Sequence, residues 1–268
     1  GCQLVRITVP TMKEVPAIAA IKKQLRAEGY DTPLVADVHY KPEVADACAA
    51  IVEKVRVNPG NYVDKRNFQK LNLTEEEYQA SLQAMADRAK PLIEICKQHG
   101  TALRIGVNHG SLCDRIVSRY GNTPMAMAMS AMEWIDICQQ FDFQNVVFSI
   151  KSSNVVSMTE ATMLLWEMMH KNGTVYPLHI GVTEAGADDE GRIKSAAGIG
   201  TLLLNGIGDT IRVSLTEPPE NEVVFAKILV DVLQKQPASL HRLRNGDEFT
   251  IYCDEPDMTR WMALAAAH

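Results

Sequence analysis

The sequence predicts an α/β protein of the TIM (β/α)8-barrel type. Short β-branched runs alternate strictly with helical patterns along the chain, and polar residues recur where those runs end. Seven such runs can be counted: residues 3–9, 34–40, 54–58, 102–108, 146–151, 178–184 and 210–215. Each is separated from the next by a stretch with helical spacing, which demands crossover connections and therefore parallel strands. Polar residues at the ends of seven runs favour a closed barrel, which gathers strand ends at one face, over an open sheet with one switch point.

The element signals follow in chain order. The run QLVRITV opens the chain, and the helical pattern after it stops at Gly29, where glycine can adopt the left-handed helix terminus. LVADVHY and KVRVN follow, with a short helical pattern containing Cys48 between them. Thr74 and Glu77 form a capping box that opens a long helix ending near Gly100. After ALRIGVN, Thr123-Pro124 provides an N-cap with proline at the first helical position. Met125, Met127, Met129 and Met132 on that helix read as fillers of irregular core volume. VVFSIK, LHIGVTE and TIRVSL alternate with helices that close at Gly173 and Gly206, and a further helix is expected at about 222–234.

Only seven strands are found, and the first begins almost at residue 1, so the expectation is a barrel lacking its first strand, in a chain that is a fragment. Two regions are expected: a barrel over residues 1–236, and in 237–268 the truncated start of a following spacer, because SLHRLRNGDEFTIYCDEP breaks the repeat.

Composition narrows the function classes. A chain of 268 residues with 46% hydrophobic content and a formal net charge of -6 fits a globular domain. An acidic protein that places Arg and Lys at strand ends collects positive potential for a compact anion and does not spread it over a nucleic-acid surface. No apolar run has the length of a membrane span. The six cysteines are dispersed without a C-x-x-C pair, which suits a reduced, cytoplasmic setting. GIGTLLLNGIGDT lacks the order of a dinucleotide fingerprint. His39 and His179 have no metal-ligand spacing and could be satisfied core histidines.

The candidate site is a polyanion cup. Its basic members are Arg6, Arg56, Arg104, Lys151 and Arg212, with polar partners Thr8, Asn58, Asn108, Ser149 and Ser214. In a strand, residues i and i+2 share a face, so such pairs converge. Guanidinium groups grip phosphate oxygens in pairs, and four arginines with one lysine match a diphosphate better than a lone carboxylate. Thr183-Glu184 ends one run and Asp37 with His39 another. A carboxylate among cations stays ionised and can relay a proton, with Glu184 the first choice and Asp37 the second, the latter alternatively holding a substrate hydroxyl.

VRITVP, ADVHY, KVRVNPGN, LRIGVNHGSL, SIKSSN, PLHIGVTEAG and KSAAGIGTLLLNGIGDTIRVSLT resemble the barrel domain of the 4-hydroxy-3-methylbut-2-enyl diphosphate synthase family, from about residue 1 to 234. NYVDKRNFQKLNLTEEEY resembles the plant, chlamydial and Bacteroidetes form, in which a spacer domain follows the barrel. The resemblance implies a reductive dehydroxylation of 2-C-methyl-D-erythritol 2,4-cyclodiphosphate in the methylerythritol phosphate route to isoprenoids, with a 4Fe-4S cluster and ferredoxin or flavodoxin as electron donor. It implies that Arg6, Arg56, Arg104, Lys151 and Arg212 hold the diphosphate, with Asn108, Thr183 and Ser214 adding hydrogen bonds. It also implies that Glu184 is the acid near the reacting oxygen. The family's cluster sits on three cysteines and a glutamate of a C-terminal domain beginning with C-x-x-C, a pair this chain lacks, so binding without reduction is expected. A homodimer stays open. So do two rival readings, a dihydropteroate-synthase-like diphosphate barrel and a non-catalytic anion-binding barrel.

Overall fold

The computed structural model describes residues 3–64, 67–69 and 71–235, and beyond them the backbone of two short strands, Arg244–Asn245 and Glu248–Phe249, paired antiparallel. The expected spacer region 237–268 otherwise lies outside the described residues. The chain divides into two compact units. One comprises residues 1–150 with 164–177, the other 151–163 with 178–268.

The first unit is built on a parallel five-stranded sheet in sequential order: β1 (Val5–Thr8), β2 (Leu34–Asp37), β3 (Lys54–Val57), β4 (Ala102–Asn108) and β5 (Val146–Lys151). β5's last residue falls in the second unit. The crossovers are α1 (Val15–Ala27), α2 (Pro42–Ala49), α3 (Glu75–His99), and the successive α4 (Asp114–Tyr120) and α5 (Pro124–Gln140). The boundary signals act as the sequence indicates. Thr74 accepts from the Glu77 amide while Glu77 returns a bond to the Thr74 amide, and Gly100 ends α3 at φ +68°. Thr123 accepts from the Ala126 amide at the start of α5.

β2 is buried along its whole length, and β3 nearly so, which explains the near-continuous apolar runs that encode them. α2 packs on α3 and β3, and α5 packs on β4. The resulting core includes Leu34, Val55, Leu103, Ile105, Leu92, Trp134 and Phe148, all fully buried. Each large apolar side chain taken from water contributes about 1.5–3 kcal/mol. Of the methionines on α5, Met127 and Met132 are buried and Met125 is exposed.

α6 (Val155–Lys171) begins in the second unit and ends in the first. The second unit holds β6 (His179–Ile180) and β7 (Thr210–Ile211), paired parallel, with α7 (Asp188–Leu204) crossing between them and α8 (Pro219–Gln234) after. These two strands are shorter than the runs 178–184 and 210–215 suggest. Past Ile180 and Ile211 the chain continues as loops carrying the polar residues.

Candidate functional site

In the first unit one row of polar residues crosses four strands. Thr8 is register partner of Asp37, Asp37 of Arg56, and Arg56 of Arg104. Laterally paired residues of a parallel sheet point to the same face, so the row lies on one side. Three positions along it, Asp37, Arg56 and Arg104, are at most 5% exposed.

Asp37 is the hub. Its Oδ1 accepts from Arg56 Nη1 at 3.1 Å, and its Oδ2 accepts from Arg6 Nη1 at 3.0 Å and His39 Nε2 at 3.1 Å. Burial alone would push the carboxyl up. The His39 hydrogen bond and the Arg56 and Arg6 charges outweigh it and hold the group well below the usual carboxylate range. With three donors on its two oxygens, Asp37 is placed as an anionic anchor for Arg6 and Arg56.

Arg56 extends across β4, donating from Nη2 to the Gly106 carbonyl at 2.9 Å. A Cβ at residue 106 would lie 2.3 Å from Arg56 Nε, so only glycine admits the guanidinium there. Burial pushes the Arg56 pKa down, with Asp37 opposing. Arg104 donates from Nε to Ser149 Oγ at 3.1 Å. It is the third of seven residues in β4, so its position inside the strand differs from the strand-end placement expected of it. Burial and the Arg104 charge together push the Lys54 ammonium down.

Two asparagines end strands of this unit with different outcomes. Asn58 is committed to loop architecture: its Oδ1 accepts from the Gly60 amide at 3.2 Å, and its Nδ2 donates to Ser111 Oγ at 2.9 Å. That ties the turn after β3 to the turn after β4. Asn108, half-buried at the end of β4, has a side-chain amide without a protein partner among the described residues.

In the second unit, Lys151 is buried and its Nζ lies 2.9 Å from where a Cβ at residue 181 would stand; the Arg212 carbonyl oxygen lies 2.3 Å from the same point. Arg212 donates from Nη2 to Ser214 Oγ at 2.6 Å, realising the i, i+2 pair. The Thr183 amide donates to the Ser152 carbonyl, and His179 contacts Thr210 Oγ1 at 2.8 Å through Nδ1. Glu184 is exposed, its carboxylate has no partner among the described residues, and its backbone sits at φ +51°. A non-glycine residue there is strained by about 1–2 kcal/mol. The corner is pinned next door, where the Gly186 carbonyl accepts from the Thr216 amide.

Gly106 and Gly181 were not singled out from sequence. Their signal is present: RIGVN and HIGVT each place a glycine inside an apolar run after a basic residue, and a glycine in a strand marks close approach of another group. Each admits a cation, Arg56 over Gly106 and Lys151 beside Gly181.

The described cysteines do not fit an iron–sulfur cluster. Cys48, Cys96, Cys113 and Cys138 are free and buried, and burial pushes their thiols up, Cys48 to about 11 and the others to about 12. Among the described residues there is no group of three or more His, Cys, Asp or Glu able to hold a metal ion. Cys2 and Cys253 lie outside the described residues. No described helix is long and apolar enough to cross a membrane.

Comparison with known proteins bears on this geometry. The chain is 54% identical over 237 residues to a Parabacteroides distasonis protein named 4-hydroxy-3-methylbut-2-en-1-yl diphosphate synthase (flavodoxin), covering 88% of this chain and 39% of that protein. It is 54% identical over 224 residues to the Oryza sativa 4-hydroxy-3-methylbut-2-en-1-yl diphosphate synthase (ferredoxin), chloroplastic, covering 83% of this chain and 30% of that one. A Leptospira interrogans relative with the flavodoxin name is 45% identical over 93% of this chain and 38% of its own length. The chain thus spans less than half the length of these relatives. The family model described as the GcpE TIM-barrel domain matches residues 1–227, so the α/β architecture is a TIM barrel and the chain belongs to the GcpE TIM-barrel domain family.

Proposed function

We propose that this barrel is the substrate-binding part of a 4-hydroxy-3-methylbut-2-enyl diphosphate synthase, holding the diphosphate of 2-C-methyl-D-erythritol 2,4-cyclodiphosphate during its reductive dehydroxylation in isoprenoid biosynthesis. The observation that carries this reading is the buried row Asp37–Arg56–Arg104. The row places Arg56 and Arg104 side by side on adjacent strands, both nearly fully buried, and buried cations gathered on one face favour an anionic ligand. A diphosphate presents its charge in a form that guanidinium groups grip in pairs.

The proposed ligands are Arg6, Arg56, Arg104 and Asn108 in the first unit, and Lys151, Thr183, Arg212 and Ser214 in the second. Asp37 fixes Arg6 and Arg56 in place, and Asn58 shapes the neighbouring loops. Glu184, exposed and uncommitted, is proposed to hand a proton to the leaving hydroxyl. The electrons of the family's reaction come through a 4Fe-4S cluster, for which the described residues offer no ligand set. The parentheses in the relatives' names make flavodoxin or ferredoxin the proposed donor to the whole protein. Four buried, reduced cysteines suit a cytoplasmic setting.

Calorimetry on the 268-residue chain tests the reading. The cyclic diphosphate and inorganic diphosphate should both bind, the former more tightly, and Arg104→Ala should weaken each by about 10- to 100-fold, the loss of one charge-assisted contact. Unchanged affinity in a folded Arg104→Ala variant would remove the diphosphate from the site.

A further inference from the structure

The corner after β6 follows a strained path. Glu184, Gly186 and Asp188 have φ of +51°, +115° and +47°, so two residues with a Cβ lie in the left-handed region. Such a path persists only where its surroundings hold it. Here the holding bonds converge on the segment after β7. The Gly186 carbonyl accepts from the Thr216 amide at 3.0 Å, Gly186 and Leu215 form a parallel bridge, and the Asp188 amide donates to Glu217 Oε1 at 3.1 Å. α7 closes on the same corner: a Cβ at residue 191 would lie 2.4 Å from the Gly186 carbonyl oxygen.

Glu217 is the joint of this bracket. Its carboxylate takes four hydrogen bonds: Oε1 from the Asp188 amide and from Arg192 Nη1 at 2.6 Å, and Oε2 from Arg192 Nη2 at 2.8 Å and from Asn221 Nδ2 at 3.0 Å. The paired contact with Arg192 holds the carboxyl below its usual range. One carboxylate therefore ties the end of the corner to α7 through Arg192 and to α8 through Asn221. Thr183 and Glu184 ride on that corner, while Arg212 and Ser214 lie on the segment that runs into Glu217.

We infer that Glu217, clamped by Arg192, is a positioning residue that holds the Thr183–Glu184 corner at a set distance from the Arg212–Ser214 segment, so that both meet the diphosphate already ordered. This deepens the diphosphate reading and rests on it.

Calorimetry with inorganic diphosphate on the 268-residue chain tests it. Methionine at position 217 fills a volume similar to glutamate and accepts none of the four bonds. Glu217→Met should lose about tenfold in affinity, because two ligand-bearing segments must then be ordered on binding. Asp46→Ala, which removes the similarly half-buried ion pair with Arg88 between α2 and α3, should bind as the parent does. A merely structural role would not produce that contrast: lost stability lowers the urea midpoint of either variant and leaves the affinity of the folded chain alone. Parent affinity in Glu217→Met, or an equal loss in Asp46→Ala, would overturn the inference. Arg104→Ala, run alongside, separates the two ideas: if it keeps full affinity the diphosphate reading fails, and if it loses affinity while Glu217→Met does not, the positioning role alone fails. Should Glu217→Met not fold, Arg192→Met takes its place, since it leaves Glu217 the Asp188 amide. There the affinity should fall about threefold or more, and the Thr216 amide, bonded to Gly186, should exchange its hydrogen faster than in the parent. Parent-like values of either would refute the clamp.

Discussion

Replacing Gly106 with alanine tests the way the barrel stores its buried arginine. The added methyl carbon would stand 2.3 Å from Arg56 Nε and 3.0 Å from Cζ and Nη2, against ordinary contact at 3.4 Å or more. The obstacle is the end of a side chain, so the β4 backbone can stay while the guanidinium moves by roughly the 1 Å between 2.3 and 3.4 Å. That displacement works against the bonds to the Gly106 carbonyl and to Asp37. One charge-assisted hydrogen bond contributes about 1.5–3 kcal/mol, and overpacking a core site costs about 1–3 kcal/mol. Partial relaxation should leave a net loss of about 1–3 kcal/mol in urea unfolding. Diphosphate affinity should fall by about tenfold or more, since Arg56 would meet its ligand out of place. Gly200→Ala is the control: nothing lies within 4 Å of its added carbon, and in the middle of α7 alanine should stabilise by about 0.5–1 kcal/mol. Parent-like stability and diphosphate affinity in Gly106→Ala would refute the close fit of Arg56 over the glycine.

Asp37→Asn should destabilise the chain at pH 7 by about 3–5 kcal/mol, because it leaves the buried Arg56 without its counter-ion. The Asp37 carboxyl is depressed in the folded chain, so its stabilisation is complete above the ordinary value of 3.8 and is lost as pH falls further; urea midpoints should therefore converge for parent and variant on strong acidification, and a constant gap would count against the hub. With Cys2 and Cys253 replaced by serine, the four buried thiols should resist alkylation at pH 8 and react only as fast as the chain opens, whereas rapid labelling of native protein would contradict their burial. Glu184→Gly should raise stability by up to about 1 kcal/mol by relieving the positive φ, while Glu184→Gln in the longer protein should keep substrate affinity and slow the reduction; full turnover in the glutamine variant would remove Glu184 from proton delivery.

The sequence by itself determined the class of fold and pointed to a compact anion as ligand. Strand and helix periods, the Thr74–Glu77 capping box, the Thr123-Pro124 start and the glycine at position 100 are local devices, each acting within a few residues, and each is realised at its own place. The arginines and their i+2 partners were legible for the same reason: a strand fixes which neighbours share a face, as Arg212 and Ser214 illustrate. What only the tertiary structure decided lies between elements distant in the chain. Asp37 meets Arg56 nineteen residues away, and Arg56 reaches Gly106 fifty residues away. Such contacts depend on strand register, which no local pattern states. Register brought Asp37 against Arg56 and Arg6, made Gly106 a cradle, and set His39 beside both the carboxylate and the guanidinium. Glu184 shows the same division: its carboxylate was visible as a candidate, while its positive φ lies in a loop pinned to a partner thirty residues on, the Gly186 carbonyl accepting from the Thr216 amide.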